Sequence, residues 1–182
     1  MKKHSRLKRF ASRVVFLTLK FPLVLIAYFN HRPYMALYVP LLRWCGMNLT
    51  GRPRYIGTSV YFDNMRSVTL GDRVVISSKV RFLTHDYAIT TALIAIGEKP
   101  EKDIAREFKI TVGANVFIGL SSIVLPGTTI GNNVIVGAGS VVRGHIPSNS
   151  IVFGNPAIVT GDMQSYANKC KQILMSDAVR TD

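Results

Sequence analysis

Residues 110–142 read ITVGANVFIGLSSIVLPGTTIGNNVIVGAGSVV. Within this stretch Val112, Ile118, Val124, Ile130, Val136 and Val142 recur every six residues without a slip. Four positions after each anchor stand Val116, Ser122, Thr128, Val134, Ser140 and Ile146, all small or β-branched. Neither a helix of 3.6 residues per turn nor an alternating strand sustains a period of six. Short strands broken by a corner every six residues do, with each anchor pointing into a narrow prism. Gly113, Gly119, Gly131 and Gly137 follow four of the anchors and are expected to permit the tight turns. Such a chain is a solenoid whose coils bury their apolar face only by stacking.

Working back from this block, Leu70, Ile76 and Phe82 keep the same period, with Val74 and Val80 at the companion position. Ile56 and Phe62 also keep it, offset by two extra residues. Between Phe82 and Ile110 the pattern lapses into Thr84-His85-Asp86-Tyr87 and then a polar run around Glu98–Lys102. A long structureless segment inside a compact domain is usually either functional or disordered. The excursion, about residues 83–109, begins with the sole histidine of the first repeat block. It is expected to be a structureless, site-forming loop thrown out from the coil.

The strings VTLGDRVVISSKVRFLTHDY (68–87), residues 110–142 and GNPA (154–157) together resemble the hexapeptide-repeat acyltransferases. Within that family the likeness is to the maltose/galactoside-type and surface-polysaccharide O-acetyltransferases. The resemblance implies a mainly β fold, a left-handed parallel β-helix over residues 51–160. A basic, apolar helical leader (1–50) precedes it, and a helical tail (161–182) follows. It further implies an obligate homotrimer, acetyl-CoA as acyl donor, a carbohydrate acceptor and active sites in the grooves between subunits.

His85 falls where the family places its catalytic histidine. The chemistry asks for such a group, because a sugar hydroxyl must lose its proton as it attacks a thioester, and imidazole is suited to general-base work near neutral pH. Backbone N–H groups near the groove would stabilise the oxyanion. The resemblance makes Glu107 a second catalytic candidate, near the return of the loop. Asp63 and Asn64, one coil before His85, are candidates for holding the acceptor hydroxyls; Asp63 has an equal alternative as a turn terminator. Asp86 is a further acceptor-side candidate, or fixes the loop. For acetyl-CoA the resemblance points to Gly119, Ser121, Ala138 and Gly139 along the later coils, the glycines having an alternative reading as plain β-helix corners. Arg143 is the candidate for the nucleotide phosphates, and Asn155 and Pro156 for the end of the tunnel. His145 reads as structural.

The charge is divided sharply along the chain. The 182 residues carry a formal net charge of +13, with 48% hydrophobic and 18% charged residues, which excludes a disordered chain. Residues 1–62 hold 11 Lys/Arg and no Asp or Glu, so a +11 leader precedes a +2 body. Lys2, Lys3, Arg6, Lys8, Arg9 and Arg13 precede an apolar run from Val14 to Phe29. Thr18, Lys20 and Pro22 interrupt that run, which argues against a signal peptide and against a spanning helix. A second apolar run, Pro33–Cys45, carries Tyr34, Tyr38 and Trp44 between Arg32 and Arg43. Aromatic rings beside arginine suit a membrane surface. Two readings stand: the leader lies on the inner face of the cytoplasmic membrane, or it only caps the domain. Nucleic acid is disfavoured, since the excess charge adjoins an apolar run without a recognition motif. Cys45 and Cys170 read as free thiols in a reducing compartment, and no Cys or His pair has zinc-ligand spacing.

The function expected is acetyl-CoA-dependent O-acetyl transfer to a sugar hydroxyl of a polysaccharide precursor or lipid-linked saccharide, without a metal. An N-acetyltransferase on an amino sugar or nucleotide sugar is the alternative enzyme, because the same β-helix supports both. A non-catalytic trimeric scaffold at the membrane is the alternative of another class. In Met163–Val179 a short helix is expected, with Tyr166, Cys170, Ile173 and Leu174 packed against a coil or a neighbouring subunit.

Overall fold

The computed structural model describes residues 2–175, with side chains from residue 15 onward apart from Leu17. The six-residue period folds as the expected left-handed parallel β-helix of three sheets. One sheet stacks Asn48–Leu49, Val68–Leu70, Ile110–Val112, Thr129–Ile130 and His145–Ile146. The second stacks Tyr55–Ile56, Val75–Ile76, Val116–Ile118, Val134–Val136 and Ser150–Gly154. The third stacks Tyr61–Phe62, Arg81–Phe82, Ile123–Val124 and Val141–Val142. Pairing within the three stacks is parallel and in register; Val112, for example, lies between Leu70 and Ile130. Every anchor is buried, so the prism interior is a column of branched and aromatic side chains. Phe62 and Phe82 stack at 4.9 Å. The hydroxyls among the companion residues are satisfied by backbone: Ser122 and Ser140 donate to the Gly137 carbonyl, and Thr128 to that of Leu125.

The glycines after the anchors serve a different purpose from the one expected. Left-handed backbone occurs instead at Asn115, Ser121, Asn133 and Gly139, two residues after each of those glycines. What Gly113 and Gly119 provide is room. A Cβ on Gly113 would sit 2.6 Å from the Gly131 carbonyl oxygen of the next coil, and one on Gly119 would sit 2.5 Å from the Ala138 nitrogen. At these corners successive coils touch backbone to backbone.

Helices close the first end of the prism. Helix α1 (Lys2–Phe29) runs through Pro22, and α2 (His31–Trp44) follows directly, with the Asn30 side chain accepting from the Arg32 amide. The basic side chains from Lys2 to Arg13 lie outside the described residues. Tyr34, Met35, Tyr38 and Leu42 of α2 are buried over the first coil. The Tyr34 hydroxyl donates to the Ile56 carbonyl at 2.9 Å, and the Ile56 amide donates to Met35 Sδ at 3.3 Å. Among the described residues no helix is long and apolar enough to cross a membrane.

Two segments depart from the sequence reading. The excursion after Phe82 is not structureless: it contains a two-stranded antiparallel ribbon, His85–Asp86 against Arg106–Glu107, and a helix α3 (Ala88–Ala95). At the far end, Ser150–Gly154 turns back through a cis Asn155-Pro156 bond into an antiparallel strand, Ala157–Asp162. Helix α4 (Met163–Leu174) starts there, with Asp162 as its N-cap. The side of α4 that carries Tyr166, Ile173 and Leu174 remains exposed instead of packing on a coil of its own chain. Residues 176–179 of the expected tail helix lie outside the described residues.

Candidate active site

The site grows out of the column of anchors. Phe62 and Phe82 are paired neighbours in the third sheet, so the residues that follow them also stand side by side. The Asp63 amide donates to the Phe82 carbonyl, and this places the Asp63 carboxylate over the point where the chain leaves the coil at Thr84 and His85. The antiparallel ribbon then fixes the departing chain. His85 is paired with Glu107 across it, and the Phe108 amide donates to the Thr84 carbonyl at 2.8 Å.

His85 Nδ1 lies 2.6 Å from Asp63 Oδ2. The same oxygen accepts from the backbone amide and from the hydroxyl of Thr84, each at 3.1 Å. Partial burial alone would raise the Asp63 carboxyl; the hydrogen bonds from His85 and Thr84 outweigh it and hold the group below its ordinary value near 3.8. Asp63 is therefore ionised at neutral pH. A carboxylate on Nδ1 fixes the proton of the neutral ring there and leaves the lone pair on Nε2. Both side chains are about a quarter exposed, accessible yet held.

Glu107 is tied elsewhere. Its Oε1 accepts from Asn64 Nδ2 and from Ser67 Oγ, which locks the returning strand of the excursion to the coil below. Asn64 also caps the short 3-10 turn Met65–Ser67 by accepting from the Arg66 amide. Asp86 accepts from the Ala88 amide at the start of α3, so its carboxylate organises the excursion. Asp63, expected among the acceptor ligands, directs its Oδ2 to the histidine and to Thr84. Sequence reading missed Thr84 and Ser67, the two hydroxyl donors of this cluster. Burial of a threonine next to the histidine depends on the ribbon, which has no signal in the six-residue period.

The residues expected along the later coils fall at one corner. Gly119 stacks on Ala138, and the Gly139 amide donates to the Leu120 carbonyl. Ser121 and Gly139 have φ of 58° and 71°, and nothing lies within 4 Å of a Cβ built on Gly139. Ser140 accepts from the Gly154 amide, so the exposed Asn155-Pro156 turn hangs beside that corner. Arg143 is exposed and follows Val142 in the column that contains Phe62 and Phe82. It stands three rungs, or ~14 Å at ~4.8 Å per rung, from Asp63. His145 is an exposed strand residue of the first sheet. Among the described residues, no three His, Cys, Asp or Glu side chains are grouped to hold a metal.

A family model described as the hexapeptide repeat of succinyl-transferase matches residues 109–143. A protein of Escherichia coli (strain K12), WbbJ, provisionally named a lipopolysaccharide biosynthesis O-acetyl transferase, is 37% identical over 101 residues, 54% of this chain and 52% of its own. The galactoside O-acetyltransferase of the same organism is 35% identical over 109 residues, 60% of this chain and 51% of its own. The repeat region is similar to members of the hexapeptide-repeat acetyltransferase family. A solved galactoside acetyltransferase in complex with coenzyme A has the same fold, with a TM-score of 0.62 and 24% identity over 88% of this chain and 84% of that one. The chain spans about half the length of the curated relatives it matches. On this hexapeptide-repeat frame, the Asp63–His85 pair occupies the foot of the excursion, where two coils and the ribbon meet.

Proposed function

We propose that the chain is an acetyl-CoA-dependent O-acetyltransferase that modifies a sugar hydroxyl by direct transfer, with His85 as general base. The observation that carries this reading is the Asp63–His85 pair, ionised on one side and basic at Nε2 on the other. A hydroxyl oxygen positioned at Nε2 gives up its proton there as it forms the new ester bond. Asp63 stabilises the resulting imidazolium and keeps the ring oriented, and the proton then passes to the leaving thiolate. Acetyl-CoA, when bound, supplies the acyl group as an activated thioester. The corner at Gly119, Ser121, Ala138 and Gly139 suits its pantetheine arm, because exposed backbone with no side chain over Gly139 lets a thin ligand approach. Arg143, in the column that leads to Asp63, suits the nucleotide phosphates. Support for the donor comes from the coenzyme A complex of the galactoside acetyltransferase.

The acceptor proposed is a cell-surface polysaccharide precursor or lipid-linked saccharide, in keeping with the lipopolysaccharide named for WbbJ; the galactoside O-acetyltransferase supports a sugar acceptor more generally. The assembly proposed is a homotrimer, peripheral on the inner face of the cytoplasmic membrane. Apolar side chains that the single chain leaves exposed support association: Phe117, Leu120 and Phe153 on the coils, and Tyr87, Ile94 and Ile96 on the excursion. In such an assembly the acceptor specificity would come from the excursion and the adjoining subunit.

The test is transfer from labelled acetyl-CoA to a panel of lipid-linked, nucleotide-linked and free saccharides. A labelled product that releases acetate in mild alkali is the expected result. An alkali-stable product would mean N-transfer, and absence of transfer to any saccharide would favour a scaffold.

A further inference from the structure

We propose that the outward face of α1 rests in the plane of an anionic lipid surface. The proposal rests on the membrane-associated part of the reading above and is independent of the transfer chemistry. On the inward side of α1, Phe16 and Leu23 are buried. Lys20, the one charged residue between 15 and 29, is on that side too: its Nζ donates to the Val60 carbonyl at 3.3 Å and lies 5.7 Å from the Phe16 ring centre. The charge that interrupts the apolar run is therefore turned toward the protein.

The opposite side has no such charge. Phe21, Leu25 and Tyr28 follow one another at i, i+4 and i+7, with Phe29 beside them, and they are 74, 58, 87 and 86% exposed. A surface helix of a soluble domain ordinarily presents polar residues on this side. Cations stand outside the stripe in the sequence. Arg32 of α2, three residues after Phe29, is exposed, and Arg43 near the other end of that helix is exposed and donates from Nη2 to the Gly51 carbonyl at 3.2 Å. The first 62 residues add an excess of 11 positive charges without a single acid.

An anionic bilayer matches both properties, apolar depth under the stripe and negative headgroups beside it. A second copy of α1 would supply the apolar contact but would set one basic leader against another. Nucleic acid would require cations interleaved with the rings, and this stripe has none.

The full chain, with its Phe21→Glu/Leu25→Glu variant, is to be floated with vesicles of phosphatidylcholine alone and of phosphatidylcholine with phosphatidylglycerol, at low and high salt. Oligomeric state by sedimentation and acetyl transfer to a water-soluble saccharide are measured in parallel. The wild type should bind the anionic vesicles, less at high salt, and the variant should bind at least about tenfold more weakly with unchanged sedimentation. Failure of the wild type to bind, equal binding by the variant, or equal binding to neutral vesicles would overturn the proposal. A variant that changes oligomeric state would overturn it as well, by showing that the stripe is a subunit contact. Acetyl transfer reports separately on the catalytic reading, so either reading can fail while the other stands.

Discussion

His85 depends on its neighbours for the position of a single proton. Asp63 Oδ2 gathers three donors, from the His85 ring and from the amide and hydroxyl of Thr84, and the ring is thereby held with Nε2 outward. Replacing His85 with Ala should lower kcat by about 10²–10⁴-fold, the usual contribution of a general base, while the thermal unfolding curve stays close to wild type. Asp63→Asn is a different experiment. Its amide would present an N–H toward Nδ1 and favour the tautomer that carries the proton on Nε2, so kcat should fall by at least about 10²-fold with little change in KM. The pH dependence of stability follows from the lowered Asp63 carboxyl. A group with a depressed folded value stabilises the protein at pH above its unfolded value, and that contribution is lost as pH falls through the folded one. The melting temperatures of wild type and Asp63→Asn should differ at pH 7 and converge below about pH 3.8; a constant gap across that range would assign the aspartate no charge-dependent role.

At the scale of elements, the corners of the coil separate two demands that both favour glycine. Gly113 lacks a Cβ because the next coil is in the way; Gly139 has open space but left-handed backbone. Gly113→Ala should thus cost more than Gly139→Asn, about 1–3 kcal/mol of overpacking against a few tenths, as read from urea unfolding midpoints at constant slope. The anchors themselves were plain in the sequence, because burial at a fixed interval repeats and a repeat can be counted. The excursion was visible only as a gap in that count. Helix α3, AITTALIA, contains isoleucine and threonine with weak helix preference, and it is secured by the Asp86 carboxylate at its start and, from farther along the chain, by a bond from the Ile104 amide to Thr90 Oγ1. The strand Ala157–Asp162 was likewise hidden, since most of it is exposed and shows no alternation. Within the site, the register of Phe62 with Phe82 implied that Asp63 neighbours the histidine. The two-residue offset before Leu70 concealed which corner they share.

For the whole molecule, the leader has two faces and they answer to different partners. Its inner face is part of the fold. Tyr34 and Met35 bond Ile56, and Tyr38 and Leu42 cover the same open end of the prism. Burial of one large apolar side chain stabilises by about 1.5–3 kcal/mol, so six such residues on α2 alone rival the ~5–15 kcal/mol by which a domain of this kind is stable. Deleting residues 1–45 should therefore do far more than release the protein from a surface. The truncated chain should unfold at markedly lower urea concentration or fail to give a single sedimenting species, and loss of membrane binding in it would say nothing about lipid. The outer face has no comparable duty. Phe21 and Leu25 are exposed, so the urea midpoint of the Phe21→Glu/Leu25→Glu variant should stay within about 0.5 kcal/mol equivalent of wild type. A large drop would mean that the stripe is buried in the assembled protein, which places the charge excess of the leader around a subunit contact and removes the physical basis for a lipid one.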